Sequence, residues 1–100
     1  MIYLTQLVYV VPGQEDVFHQ FEDVAIPLIA KHRGQLMLRL RPNAESVIAS
    51  AGDVPYEVHV VRFENDNDLA SFARDDERQR FLHLKNKSIR SSLLIKGTAS

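Results

Sequence analysis

Apolar residues recur along the chain with two periods, and their succession predicts its elements. Ile2 to Val11 is rich in β-branched and aromatic residues, with Thr5 and Gln6 as polar interruptions, and Pro12-Gly13 stops the run as a turn. A buried strand is predicted there. From Gln14 to His32, Val17, Phe18, Phe21, Val24, Ala25, Leu28 and Ile29 recur at spacings of three and four, with Glu15, Asp16, His19, Glu22 and Asp23 on the other face. This is the pattern of an amphipathic helix. Glu15 and Asp16 near its start and Lys31, His32 and Arg33 at its end suit the helix dipole. Gly34 suits the C′ position, and Pro27 predicts a kink or local break. Gln35 to Pro42 alternates, with Leu36, Leu38 and Leu40 on one side and Gln35, Met37, Arg39 and Arg41 on the other. Asn43 to Asp53 reads as a loop in which Ser46-Val47-Ile48-Ala49 offers a strand extension beyond a bulge. Tyr56 to Glu64 is a third strand by its β-branched content. Asn65 and Asp68 supply a cap and an acidic first turn to a short helix with Leu69, Phe72 and Ala73. Asp75-Asp76-Glu77 opens a further helix through about Arg90, and Ser92 to Lys96 forms a last strand closed by Gly97.

The order β, α, β, β, α(α), β packs, under short connections and right-handed crossovers, as a four-stranded antiparallel sheet with its helices on one face, the ferredoxin-like α+β fold. Strand parity adds a second expectation. Ile2, Leu4, Val8 and Val10 alternate with Leu7 and Val11 in the first strand, and Val58 and Val60 with Val61 and Phe63 in the third. A sheet face open to water reads polar, so the face without helices is expected to be covered by a second copy of the chain in an isologous homodimer.

A length of 100 residues bounds the chain to a single domain over residues 1–100, and 45% hydrophobic with 25% charged residues is ordinary globular composition. The absence of cysteine excludes disulfide scaffolds, thiolate nucleophiles and sulfur-based zinc sites, leaving histidine and carboxylates as metal ligands. No basic leader opens the chain and no apolar run approaches the ~20 residues of a membrane span, so a cytoplasmic protein without membrane contact is expected. The net charge of −1 hides an asymmetry: residues 1–73 carry five Lys/Arg and ten Asp/Glu, residues 74–100 seven and three. The last quarter is therefore locally basic.

Tyr3 in the first strand, Arg33-Gly34 after the first helix, and Gly52 before the PYEVHVVRF strand give the chain a family likeness. Phe63 leading into a polar turn, Asp75-Asp76-Glu77-Arg78, and the closing LLIKG continue it over nearly the whole chain. With these features it resembles the dimeric α+β barrel superfamily, in particular small bacterial families related to antibiotic-biosynthesis monooxygenase and stress-responsive barrel domains. The resemblance implies a homodimer whose two sheets enclose a barrel-like interior. It also implies a small-molecule pocket between each sheet and its own helices, as in enzymatic relatives that act on aromatic or polyketide compounds without metal or organic cofactor. The tryptophan and asparagine pattern of the monooxygenase branch is not carried over, because the chain has no tryptophan.

His59 and Glu57, two apart on a strand, point to one side, where the carboxylate orients the imidazole and raises its basicity; they are the acid-base candidates. The competing account makes them a satisfied polar couple near the sheet edge. Arg39, Arg41 and Arg62 fall on parities opposite the Leu36/Leu38/Leu40 and Phe63 rows, so they are expected to converge on the face away from the helices. There they would anchor an anion, or make salt bridges across the dimer interface to Glu45, Glu57 or Glu64. Tyr9 is a further candidate ligand contact, although Tyr3, Tyr9 and Tyr56 also read as core and interface residues. His19 with Glu22 or Asp23 has helical ligand spacing but sits on a polar face, so no metal is expected, and His32 serves the helix dipole. Arg80, His83, Lys87 and Arg90 form a basic stripe without stacking aromatics, and no nucleic acid is expected. Together these point to a cytoplasmic homodimer that binds a small aromatic or carboxylated metabolite and, as an enzyme, works without cofactor. The alternative is a non-catalytic ligand-binding or structural homodimer.

Overall fold

Strands β1 (Ile2–Val10), β2 (Gly34–Leu40), β3 (Glu57–Phe63) and β4 (Ile89–Gly97) hydrogen-bond in the order β2-β3-β1-β4, and every neighbouring pair is antiparallel. The computed structural model describes residues 1–99. Helices α1 (Glu15–Lys31), α2 (Asp66–Ala73), α3 (Asp76–Arg80) and α4 (Leu82–Ser88) complete the ferredoxin-like α+β arrangement that the pattern predicts. They cover the sheet face that carries Ile2, Leu4, Val8, Glu57, His59 and Phe63, all of them buried. Ile2, Leu4, Ile29 and Phe63 form the core cluster, with Leu36, Val61, Leu69 and Phe72 packed against it. No helix among the described residues is long and apolar enough to cross a membrane.

The start of α1 follows from Gly13, which takes the positive φ of 87° that ends the first turn, and from the acidic pair Glu15 and Asp16 at the positive end of the helix dipole. Pro27 lies inside α1 without ending it, so the predicted break does not occur. At the other end Arg33, not Gly34, takes the left-handed backbone (φ 64°). Gly34 has a different duty. A Cβ there would stand 2.6 Å from Phe63 Cε1 and 2.8 Å from Ile29 Cγ2, so the missing side chain lets β2 press against the core.

Two further departures from the sequence pattern shape the site. A bulge between Leu36 and Leu38 shifts the β2–β3 register, so that Leu36 pairs with Val61 while Leu38, Arg39 and Leu40 pair with Val60, His59 and Val58. One extra residue flips every side chain after it to the opposite face. Leu38 and Leu40 therefore leave the helix side and Arg39 enters it, the reverse of the predicted alternation. Farther on, Asn43 and Ser46 close a capping box on a short 3₁₀ turn (Ala44–Ser46), which occupies the backbone that a strand extension over 46–49 would need. The expected last helix divides at Phe81, whose N–H reaches Arg78 O in a tight turn, and ends at Ser88. There Val11 N donates to Ser88 O at 2.8 Å, and β4 begins at Ile89, three residues before the predicted start.

The uncovered sheet face remains apolar. Leu38, Leu93 and Ile95 are 48%, 54% and 52% exposed on it, across a slab 36 × 35 × 16 Å in extent.

Candidate functional site

Glu57 and His59 occupy alternate positions of β3, and the strand's pleat turns both toward the helices, as their parity with Phe63 requires. Register sets His59 opposite Gln6 of β1 and Arg39 of β2, in the interior of the sheet. Its Nε2 contacts Glu57 Oε2 directly. Since the carboxylate accepts, the ring keeps its proton on Nε2, and Nδ1 has no hydrogen-bond partner among the described residues.

A fully buried carboxylate needs compensation. Glu57 receives it from the β2 arginines: Arg41 Nε donates to Oε1 at 2.9 Å, and Arg39 Nε stands 3.0 Å from Oε2 as a charge contact whose N–H is not aimed at the oxygen. Burial pushes the Glu57 carboxyl up, but the hydrogen bond from His59, the close approach of Arg39 and the charges of both outweigh it and hold the group at about 2. Glu57 is thus a permanent carboxylate that orients the imidazole.

From α1, Glu22 comes to the same place. Its Oε2 lies 3.8 Å from His59 Nε2, and the residue is only 7% exposed. Burial pushes its carboxyl up from the ordinary value, against the opposing pull of His59. The two carboxylates beside one imidazole therefore have opposite tendencies, Glu57 ionised and Glu22 inclined to keep its proton.

Glu22 and His59 line a cavity of about 310 Å³ between the sheet and the helices, at the lower end of the ~300–1,000 Å³ range of small-molecule sites. Its walls are mostly apolar, among them Leu4, Val8, Phe21, Ile29, Val61 and Phe72. Gln6, Ser92, Arg78 and Lys85 complete its polar lining.

Of the residues singled out in the sequence, His59 and Glu57 are brought together, and Arg39 and Arg41 join them. The predicted convergence of Arg39, Arg41 and Arg62 on the uncovered face is corrected: the β2 bulge carries Arg39 to the helix side, while Arg62, paired with Tyr3 and Gln35, stays on the opposite parity from Phe63. Tyr9 lies away from His59, under the Arg90 guanidinium at 5.6 Å and beside a surface hollow shared with Arg41 and Tyr56. His19 Nε2 meets the Tyr56 hydroxyl at 2.7 Å, not Glu22. His32 does more than serve the dipole. Its Nε2 is 2.7 Å from Asp75 Oδ2, and with Lys31 it holds that carboxyl well below the usual carboxylate range while Asp75 caps α3.

Glu22, like Arg39, lies on the opposite side from the one its pattern predicts, and Arg78 and Lys85 are not among the site residues expected from the sequence. The signal for Glu22 is its spacing: Phe18, Glu22, Ala25 and Ile29 follow one another at four, three and four, on the buried stripe of α1. The donor atoms of Glu22, Glu57 and His59 lie within 4.8 Å of one another. Glu57 is already saturated by two arginines, and Arg78 and Lys85 line the adjoining cavity, so the set is suited to handling protons rather than a metal cation.

No family model matches the sequence, and no curated protein matches it significantly. Solved structures do. A protein of unknown function from Rhodopseudomonas palustris is similar over 99% of this chain and 82% of its own, at 12% identity and a TM-score of 0.84. An uncharacterized NIPSNAP domain protein from Burkholderia xenovorans is similar over 100% and 95%, at 10% identity and a TM-score of 0.70. A dimeric protein of unknown function with a ferredoxin-like fold, from Bacteroides fragilis, is similar over 96% and 93%, at 13% identity and a TM-score of 0.69. At such identities the likeness is one of fold: the chain has the ferredoxin-like α+β fold, in keeping with its resemblance to dimeric α+β barrel domains.

Proposed function

We propose that the chain is a cytoplasmic homodimer that binds a small aromatic or carboxylated metabolite between its sheet and helices and acts on it by acid-base chemistry, without an organic cofactor. One observation carries this reading: a buried His59 backed by the ionised Glu57, beside Glu22, whose carboxyl burial pushes up, in a largely apolar cavity of about 310 Å³. In this scheme His59 takes a proton through Nδ1, Glu57 stabilises the imidazolium that results, and Glu22 exchanges a proton with the substrate from the α1 wall of the cavity. The apolar walls exclude water, which strengthens each of these interactions.

Dimer formation is supported by the apolar residues on the uncovered face and by the dimeric state of the Bacteroides fragilis protein of similar fold. Under the non-catalytic alternative the cavity still holds a ligand, and the clamp of Arg39 and Arg41 on Glu57 favours it by giving that carboxylate a structural duty. Comparison of ¹⁵N-HSQC spectra of the wild type and His59→Ala against a metabolite panel tests the proposal. Ligand-induced shifts at cavity residues that weaken in His59→Ala support it, and a panel that shifts neither spectrum overturns it.

A further inference from the structure

Resting on the reading of this cavity as a small-molecule site, we propose that Arg78 and Lys85 form a carboxylate anchor within it. Its ligand is then a compact molecule with an apolar body and one anionic head. Arg78 projects from α3 between two aromatic rings, its guanidinium 5.7 Å from the Phe21 centroid and 5.2 Å from that of Phe72, and Nη1 donates to Ala73 O at 3.3 Å. These contacts fix the plane of the guanidinium before any ligand arrives. Its Nε is buried without a hydrogen-bond partner. Lys85 projects from α4 into the same cavity, and neither cation has an ion pair among the described residues.

Two like charges lining one apolar cavity leave each other less stable. Burial pushes both groups down from their ordinary values, and for Lys85 the charge of Arg78 adds to the effect. Glu22 is the acidic residue in the lining; its charge opposes both of these shifts, but one carboxyl does not offset two cations. An anion on the helical wall would relieve both and meet the planar donor edge of Arg78, the geometry that suits a carboxylate. Arg39 and Arg41 are committed to Glu57, and Arg62 lies on the other face of the sheet. With two cations opposed by one titratable carboxyl, the cavity accommodates a single-charge head. The apolar lining takes the remainder of the molecule, which then spans from the helices toward His59 on β3.

The test is an NMR titration of the full chain with 2-naphthoate and with its neutral counterpart 2-naphthamide, in the wild type, Lys85→Met and Arg78→Gln. The expected result is binding of naphthoate at cavity residues, with naphthamide weaker by about tenfold or more. Each substitution then brings naphthoate down toward naphthamide and leaves naphthamide unchanged. Equal binding of the two probes by the wild type, or unaltered naphthoate affinity in Lys85→Met, overturns the anchor and leaves the small-molecule cavity standing. Binding of neither probe removes both. If Arg78→Gln loses spectral dispersion because its aromatic stacking is structural, Lys85→Met decides the outcome alone.

Discussion

Glu22 Oε2 approaches His59 Nε2 to 3.8 Å, joining α1 to β3 across the wall of the cavity. The separation exceeds the ~2.7–3.2 Å of a hydrogen bond, so the two groups share a field rather than a proton. Glu57 lies on the same imidazole nitrogen but in direct contact. One histidine thus stands between a carboxyl lifted by burial and one held at about 2 by its partners.

Replacing Glu22 by Gln should stabilise the protein at neutral pH. A carboxyl whose value is raised on folding binds its proton more tightly in the folded state, so wild-type stability falls as pH climbs from the ordinary 4.5 through the raised value. Glu22→Gln removes that loss. Thermal melts should show a Tm higher by a few degrees at neutral pH and no difference in acid. A lower Tm at neutral pH would contradict the assignment.

Glu57 has the opposite sign. Its value is lowered from 4.5 to about 2, so its stabilisation is complete above 4.5 and is lost as pH falls through about 2. Breaking a buried ion pair costs ~3–5 kcal/mol, reduced here because Arg41, half-exposed, reaches water. Urea unfolding of Glu57→Gln should therefore show a loss of about 1–3 kcal/mol at neutral pH. The gap to the wild type should narrow as acid protonates Glu57 in the wild type.

Adjacent residues at the start of β2 should respond differently to substitution. Gly34→Ala drives a methyl into Phe63 and Ile29, both buried, and should cost about 1–3 kcal/mol. Arg33→Gly relieves a left-handed backbone at φ 64° but removes the 3.6 Å contact to Asp68 Oδ2, a buried oxygen without a hydrogen bond, so the two effects should leave it within about 1 kcal/mol of the wild type. Equilibrium denaturation of the two variants side by side checks both.

The fold and half of the site could be read from the pattern of the chain, and the residues that could not were hidden for separate reasons. His59 and Glu57 were legible because a strand's period of two is robust and Phe63 marks the buried side. Arg39 was misplaced because a bulge inserts its extra residue into Leu36-Met37-Leu38, where the alternation of leucines looks unbroken. Glu22 was misplaced because its charge outweighed its spacing, although burial of a carboxyl is what a functional cavity requires. Arg78 and Lys85, seven apart, would share a face even of a continuous helix, but their charge reads as solvated surface, and the turn at Phe81 that puts them on two helices leaves no mark in the pattern.

The uncovered face should govern assembly. Leu38 and Leu93 are about half exposed, so charging them costs the isolated chain little. Sedimentation should find the wild type at twice its 11.4 kDa chain mass and the Leu38→Glu/Leu93→Glu variant at the single-chain mass with an unchanged circular dichroism spectrum. A monomeric wild type at micromolar concentration would refute the covered-face account.

Deuterium exchange tests the acid-base centre most directly, because it requires no knowledge of the net reaction. Metabolites that shift the cavity resonances are incubated with the protein in D₂O across about pH 5–8, and their acidic C–H signals are followed by ¹H NMR. The account predicts time-dependent loss of such a signal for at least one ligand, abolished by His59→Gln. Ligands that occupy the cavity yet exchange nothing at any pH, or exchange equally with His59→Gln, would contradict it.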